Sequence, residues 1–285
     1  MLQSGSVNGF DITLTDPGIL WLRFNTPERL NGMTAAIKRD LIETLTQAQM
    51  DDQVRIIVFT GSGRAFCAGD ELGGYTDPAD EETALTAPIH AGHHNALGTF
   101  NGLRTISQQL NTTVRRLDKI TIAAINGITI QTGLSLALAC DFRLAATSAR
   151  LGSATLRFGL LPDEGGHALL LEHLGLSQTL DFVLRKRIVT AAQALELGLV
   201  SDVVDDDELE NATQRLAEEL ARGPQVALRM AKRSIYAAVG ASWDGALEDI
   251  AAKTAIVDHH PDAREGVLAF KEKRAPKFNA WLEQS

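Results

Sequence analysis

Two adjacent carboxylates, Asp163 and Glu164, stand in the segment Leu151-Gly-Ser-Ala-Thr-Leu-Arg-Phe-Gly-Leu-Leu-Pro-Asp-Glu-Gly-Gly-His167, after an apolar run and ahead of the Gly165-Gly166 pair that opens a helix. An acidic pair at the rim of a buried surface is suited to taking up and returning protons. Two glycine-bearing turns could supply the complementary chemistry. In Gly61-Ser-Gly-Arg-Ala-Phe-Cys-Ala-Gly-Asp-Glu-Leu, the small residues Ala68 and Gly69 let a ligand approach the backbone, where the Asp70 amide can bind it. In Ala124-Ile-Asn-Gly-Ile-Thr-Ile-Gln-Thr-Gly-Leu-Ser-Leu-Ala-Leu-Ala-Cys-Asp, the Thr132-Gly133 turn leads into a small-residue helix whose first amides suit a developing oxyanion. Each feature also has a plain reading. Asp163 can be a helix N-cap worth about 1 kcal/mol, Glu164 a solvated acid in a first helical turn, and the glycines simple turn formers.

The elements that must position these groups alternate strands with helices. Ile19–Phe24, Val54–Thr60, Ile120–Asn126 and Asp141–Ala145 read as apolar, β-branched strands. Thr34–Gln49 reads as a helix capped by Thr34, with Ile37, Leu41, Ile42 and Leu45 on one face. This order predicts a mainly parallel sheet covered by helices, an α/β class. The patterning weakens from Asp77 to Asp118, although Leu103–Arg116 looks helical. Beyond Ala191 the chain becomes helical and charged, with amphipathic candidates at Leu209–Arg222, Pro224–Val239 and Trp243–Asp258 and a closing segment Glu265–Trp281.

Composition narrows the function classes. A net charge of −9 over 285 residues argues against nucleic acid as a partner. No stretch approaches the roughly 20 apolar residues of a membrane span, and Met1–Phe10 lacks the pattern of a signal peptide. Cys67 and Cys140 have neither metal-like nor disulfide spacing, which leads us to expect a cytoplasmic protein. His90, His93 and His94 lack a carboxylate or thiolate partner of metal-ligand type, so no metal is expected; these three and His167, on the helix that follows, read as structural or surface residues, with His93 or His94 the alternative pocket residue.

Together these motifs resemble the crotonase superfamily, the enoyl-CoA hydratase/isomerase group, over most of the chain. Asn25-Thr-Pro…Leu30-Asn31 resembles its early element, Ala65–Asp70 and Ala124–Asp141 its two oxyanion loops, and Gly159-Leu-Leu-Pro through Gly165-Gly166 the following turn and helix. Ala191–Val200 and Glu265-Gly…Phe270-Lys-Glu-Lys-Arg complete the match. The resemblance implies a ClpP/crotonase-like spiral of ββα units over residues 1–205, followed by a helical trimerisation or lid segment over 206–285. It implies an acyl-CoA substrate and a role in acyl-CoA or fatty acid metabolism, with coenzyme A entering only as part of the thioester and no separate cofactor. It also implies a homotrimer or a hexamer built as a dimer of trimers. The amides of Asp70 and Thr132 would hold the thioester oxygen. Ala68, Gly69, Gly133, Ser135 and Thr155 would line the substrate path, and Arg29, Phe270 and Lys273 would meet the nucleotide, the last two in some relatives from a neighbouring subunit.

One departure from the family pattern is chemically decisive. The positions of the two hydratase glutamates are Ser135 and Thr155, whose hydroxyls are too weakly acidic to furnish a base near neutral pH. Asp163 instead occupies the place of the catalytic aspartate in isomerase-type members with a Pro-Asp-x-Gly turn, and Glu164 is the second choice. An isomerase is therefore favoured. The alternatives are hydration with a non-standard base, C–C hydrolysis, and a non-catalytic acyl-CoA-binding paralogue.

Overall fold

The computed structural model describes residues 2, 4–72 and 95–284. His90, His93 and His94 lie outside the described residues. A seven-stranded sheet has the order β1-β2-β3-β4-β6-β8-β11, and a four-stranded sheet the order β10-β9-β7-β5. The large sheet comprises β1 (Gly5–Val7), β2 (Phe10–Thr15), β3 (Ile19–Phe24), β4 (Ile56–Gly61), β6 (Ile120–Ile125), β8 (Phe142–Ala146) and β11 (Asp202–Val204). From β3 onward its pairs are parallel, in a register that aligns Trp21, Val58, Ile122 and Phe142. The antiparallel β1–β2–β3 edge was not visible in the sequence pattern.

Every residue of β4 and β6 is buried, as expected of parallel strands covered on both faces. Alternate side chains serve two cores. Ile57, Phe59, Ala123 and Ile125 join the main core with α1 (Ala35–Met50), whereas Ile56, Val58, Ile120 and Ile122 pack with α7 (Leu209–Arg222) through Leu209, Ala217 and Ala221. Thr34 caps α1 as expected, its hydroxyl accepting the Ile37 amide at 3.2 Å. The remaining helices are α2 (Ala96–Gly102), α3 (Gln108–Arg116), α4 (Thr132–Ala139), α5 (Gly166–Leu184), α6 (Ala191–Glu196), α8 (Gln225–Ala238), α9 (Trp243–Asp258) and α10 (Pro261–Glu272). The C-terminal tail is not helical throughout Glu265–Trp281. It breaks where Lys273 turns left-handed (φ 55°) and caps α10.

The small sheet carries the chemistry. Its parallel strands β5 (Ala65–Cys67), β7 (Ile128–Ile130) and β9 (Arg150–Gly152) run directly into Ala68–Asp70, Gln131–Thr132 and Ser153–Thr155. Antiparallel β10 (Ile188–Thr190) closes its far edge. Ligands characteristically meet parallel sheets beyond the carboxyl ends of the strands. Two asparagines hold the loop that leads into β5. Asn31 donates to the carbonyls of Ser62 (3.0 Å) and Ala65 (2.7 Å) and accepts the Thr26 amide (3.0 Å). Asn126 donates to Gly63 and Ala65 and accepts the Gly61 amide.

Candidate active site

A cleft opens at these strand ends. Its apolar wall includes Leu72, Ile130, Ala154, Phe158, Leu160 and Leu161, and its polar wall brings together Asp70, Gln131, Thr132, Thr155, Asp163 and Glu164. A ligand with an extended apolar part and one polar group to be held suits such a surface.

The two expected amide donors lie in this cleft. Asp70 forms a parallel bridge with Met33 in which Met33 donates to the Gly69 carbonyl and Glu71 donates to Met33, leaving the Asp70 amide outside the ladder. Gly69 has φ +112°, which lets the chain swing the next amide inward. Thr132 is the first residue of α4, and its amide is among those a helix leaves without an intrahelical acceptor. Gln131, just before it, adopts φ 48° and ψ −102°, a costly conformation for a residue with a side chain. It is held by its amide to the Gly152 carbonyl (3.0 Å) and by its side-chain oxygen, which accepts from Ser153 (3.1 Å) and Thr155 (3.2 Å). Such strain, held from several directions, is expected where an amide must be aimed.

The carboxylate pair departs from both plain readings. The N-cap of α5 is Gly165, with no side-chain cap, so Asp163 is not the capping residue. Glu164 is not solvated. It is 1% exposed, with Oε1 2.8 Å from the Thr132 hydroxyl and Oε2 3.4 Å from the Gln131 amide nitrogen. Asp163 is partly buried. The turn is fixed from the backbone, because Gln108 of α3 donates to the Asp163 carbonyl (3.1 Å) and Asn111 to that of Glu164 (2.9 Å).

Beneath Thr132 lies a group that sequence reasoning missed. Lys38 of α1, 1% exposed, donates to Asp70 (2.6 Å) and Ser107 (2.9 Å), and Asp70 in turn accepts the Thr132 hydroxyl at 2.7 Å. The signal was present: Lys38 lies on the same buried stripe as Leu41 and Leu45, where a lysine requires an anionic partner. Burial alone would lower the Lys38 pKa, but the Asp70 charge and hydrogen bond outweigh it and raise the value. Burial, then the charges of Asp70 and Asp163, push Glu164 up to about 7. Burial and Asp70 also raise Asp163, against the pull of Lys38. The Cys67 thiol, pushed up to about 12 by burial, is not a nucleophile at neutral pH.

Of the other sequence-predicted residues, Ala68, Gly69 and Thr155 line the cleft. Gly133 and Ser135 do not. A Cβ on Gly133 would sit 2.2 Å from the Cys67 carbonyl oxygen, so this glycine serves helix-to-strand packing, and the buried Ser135 fills the space above Gly166. Arg29 lies at the end of the turn Pro27–Arg29, 3.8 Å from both Glu28 and Glu71, outside the cleft. Phe270 is 85% exposed on α10, and Lys273 is exposed beside it. His167 is an exposed residue of α5. Among the described residues, no cluster of three or more His, Cys, Asp or Glu side chains could hold a metal ion, and no helix is long and apolar enough to cross a membrane.

Known proteins are similar to this chain over most of its length. The sequence profile described as Enoyl-CoA hydratase/isomerase matches residues 15–281. The 1,2-epoxyphenylacetyl-CoA isomerase of Escherichia coli is 34% identical over 272 residues, covering 94% of this chain and 98% of the relative. The 2,3-dehydroadipyl-CoA hydratase of the same organism is 31% identical over 261 residues, covering 91% and 94%. The crystal structure of an enoyl-CoA hydratase from Bacillus anthracis superimposes with a TM-score of 0.85 at 29% identity, covering 95% of this chain and 98% of that one.

Proposed function

The chain belongs to the enoyl-CoA hydratase/isomerase family, with the crotonase α/β fold and its C-terminal helices, and from that premise we propose that it shifts a double bond in an acyl-CoA thioester. The thioester oxygen accepts hydrogen bonds from the amides of Asp70 and Thr132. As negative charge gathers on that oxygen, these fixed donors and the positive end of α4 stabilise the enolate. Asp163, the less buried of the two acids, takes a proton from a carbon conjugated with the thioester. The C–H electron pair enters the enolate, the double bond moves, and Asp163 returns the proton to another carbon of the same system. No water is consumed, so one carboxylate suffices.

The observation that carries this reading is the Asp163–Glu164 pair on the cleft wall, combined with hydroxyls at positions 135 and 155. On this reading Arg29, Phe270 and Lys273 would contact coenzyme A, the last two across a subunit boundary of a trimer or a dimer of trimers.

Replacing Asp163 by Asn should lower kcat on the order of 10²–10⁴-fold, the usual contribution of a general base, with acyl-CoA affinity retained within several-fold. Full activity in Asp163→Asn would remove this residue from the mechanism. One observation favours hydration as a second reading: adjacent carboxyls in different protonation states can serve as base and acid. The ultraviolet band of the enoyl thioester distinguishes the two. Isomerisation shifts it, whereas hydration abolishes it.

A further inference from the structure

We propose that Asp70 has a second role, distinct from that of its amide. Its carboxylate, anchored by Lys38 and joined through the Thr132 hydroxyl, is a positioning group that holds Glu164 as the neutral acid. The argument begins with counting protons. Thr132 Oγ1 lies 2.7 Å from Asp70 Oδ1 and 2.8 Å from Glu164 Oε1. A hydroxyl carries one proton and can donate only one such bond. With both carboxyls ionised, one anionic oxygen would face a hydroxyl lone pair at hydrogen-bonding distance in a buried site, which is strongly repulsive. A further proton must therefore reside on one of the two acids.

The surroundings select Glu164. Asp70 Oδ2 receives the Lys38 ammonium at 2.6 Å, a charge-assisted contact that favours its anion. Glu164 has no cation at hydrogen-bonding distance among the described residues and is more deeply buried. Its partners are Thr132 and the neutral amide of Gln131. The assignment satisfies every member of the chain. Glu164 donates from Oε1 to Thr132, Thr132 donates to Asp70, Lys38 donates to Asp70 and Ser107, and Gln131 donates to Glu164 Oε2. The reverse assignment would protonate an oxygen of the carboxyl already paired with an ammonium. Among the described residues, the other charged group facing Glu164 is Asp163, which also disfavours a second negative charge beside it. The upward shift of Glu164 agrees with this assignment.

This chain gives the neighbouring acids distinct tasks. Asp163 accepts a proton, while Glu164 is kept as a donor whose release is opposed by Asp70 and favoured by Lys38. That division of labour rests on the acid–base reading above, but the resting protonation of Glu164 does not.

Infrared spectroscopy of the ligand-free, full-length protein tests the protonation directly. Wild type should show a buried carboxylic-acid carbonyl band that titrates away near pH 7 and is missing from Glu164→Gln. Asp70→Asn removes the opposing charge and should lower the midpoint by about one to two pH units. Lys38→Met removes the favouring charge and should raise it. The two shifts have opposite signs, which a purely structural role of the pair would not produce. Either variant decides if the other does not fold. An absent acid band, or a midpoint unmoved in the folded variants, would overturn the proposal. Failure of the isomerase reading would leave this spectrum unchanged and would appear only in the turnover of Asp163→Asn.

Discussion

Glu164→Gln should make this protein more stable at alkaline pH, against the ordinary expectation for a buried, hydrogen-bonded side chain. The carboxyl titrates near 4.5 in an unfolded chain and is pushed up to about 7 in the folded protein. Between these values the native state retains a proton that the unfolded chain has lost. Stability therefore falls as pH rises, by up to about 1.4 kcal/mol per pH unit. Across the window this amounts to roughly 3 kcal/mol, fully present below pH 4.5 and lost above pH 7. Glutamine has nearly the same shape, and its amide can donate to Thr132 Oγ1 in place of the acid proton while carrying no titratable group. Urea unfolding of both proteins at one fixed concentration, repeated from pH 5 to pH 8, gives the difference curve. We expect near parity at pH 5 and a variant advantage approaching about 3 kcal/mol by pH 8. Taking the difference also removes the contributions of carboxyls that do not interact with Glu164. A flat curve, or a variant less stable at pH 8 than at pH 5 relative to wild type, would refute the claim that Glu164 is held protonated.

The elements that aim the amides yield two further predictions. Gly133→Ala forces a methyl group against the Cys67 carbonyl, 2.2 Å from its oxygen, and should cost about 1–3 kcal/mol while displacing the Thr132 amide and lowering kcat; wild-type stability and kcat in this variant would show that the contact positions nothing. Asn31→Ala removes the side chain that joins Thr26, Ser62 and Ala65 and should destabilise by about 2–4 kcal/mol, read from the shift in the urea midpoint at unchanged slope.

The sequence made legible those parts of the fold that announce themselves locally, and its silences have physical causes. Ile120–Ile125 is apolar at every position and could be read as a strand covered on both faces, while Thr34 marked the start of α1 because capping acts over three residues. The three-residue strands β5, β7 and β9 are too short for any periodicity to register, yet their carboxyl ends carry the site. The glycine and small-residue motifs therefore located the site better than the strand pattern did. Polar partners were harder to find, because side-chain periodicity reports which positions are buried and nothing about what they meet. Glu164 looked like a solvated acid for this reason, since its nearest partner in the network, Thr132, is 32 residues earlier. Lys38 was the one member whose position contained a demand. A lysine three residues before Leu41 and seven before Leu45 is carried into the core by the helix itself, and the cost of burying its charge is met only if an anion is buried with it. That anion is Asp70, also 32 residues away. Once Asp70 is fixed by Lys38, the Thr132 hydroxyl has a committed acceptor, and the acid on its other side must supply the next proton. The misplaced-looking lysine on an apolar stripe is thus the element of the sequence from which the protonation of Glu164 ultimately follows.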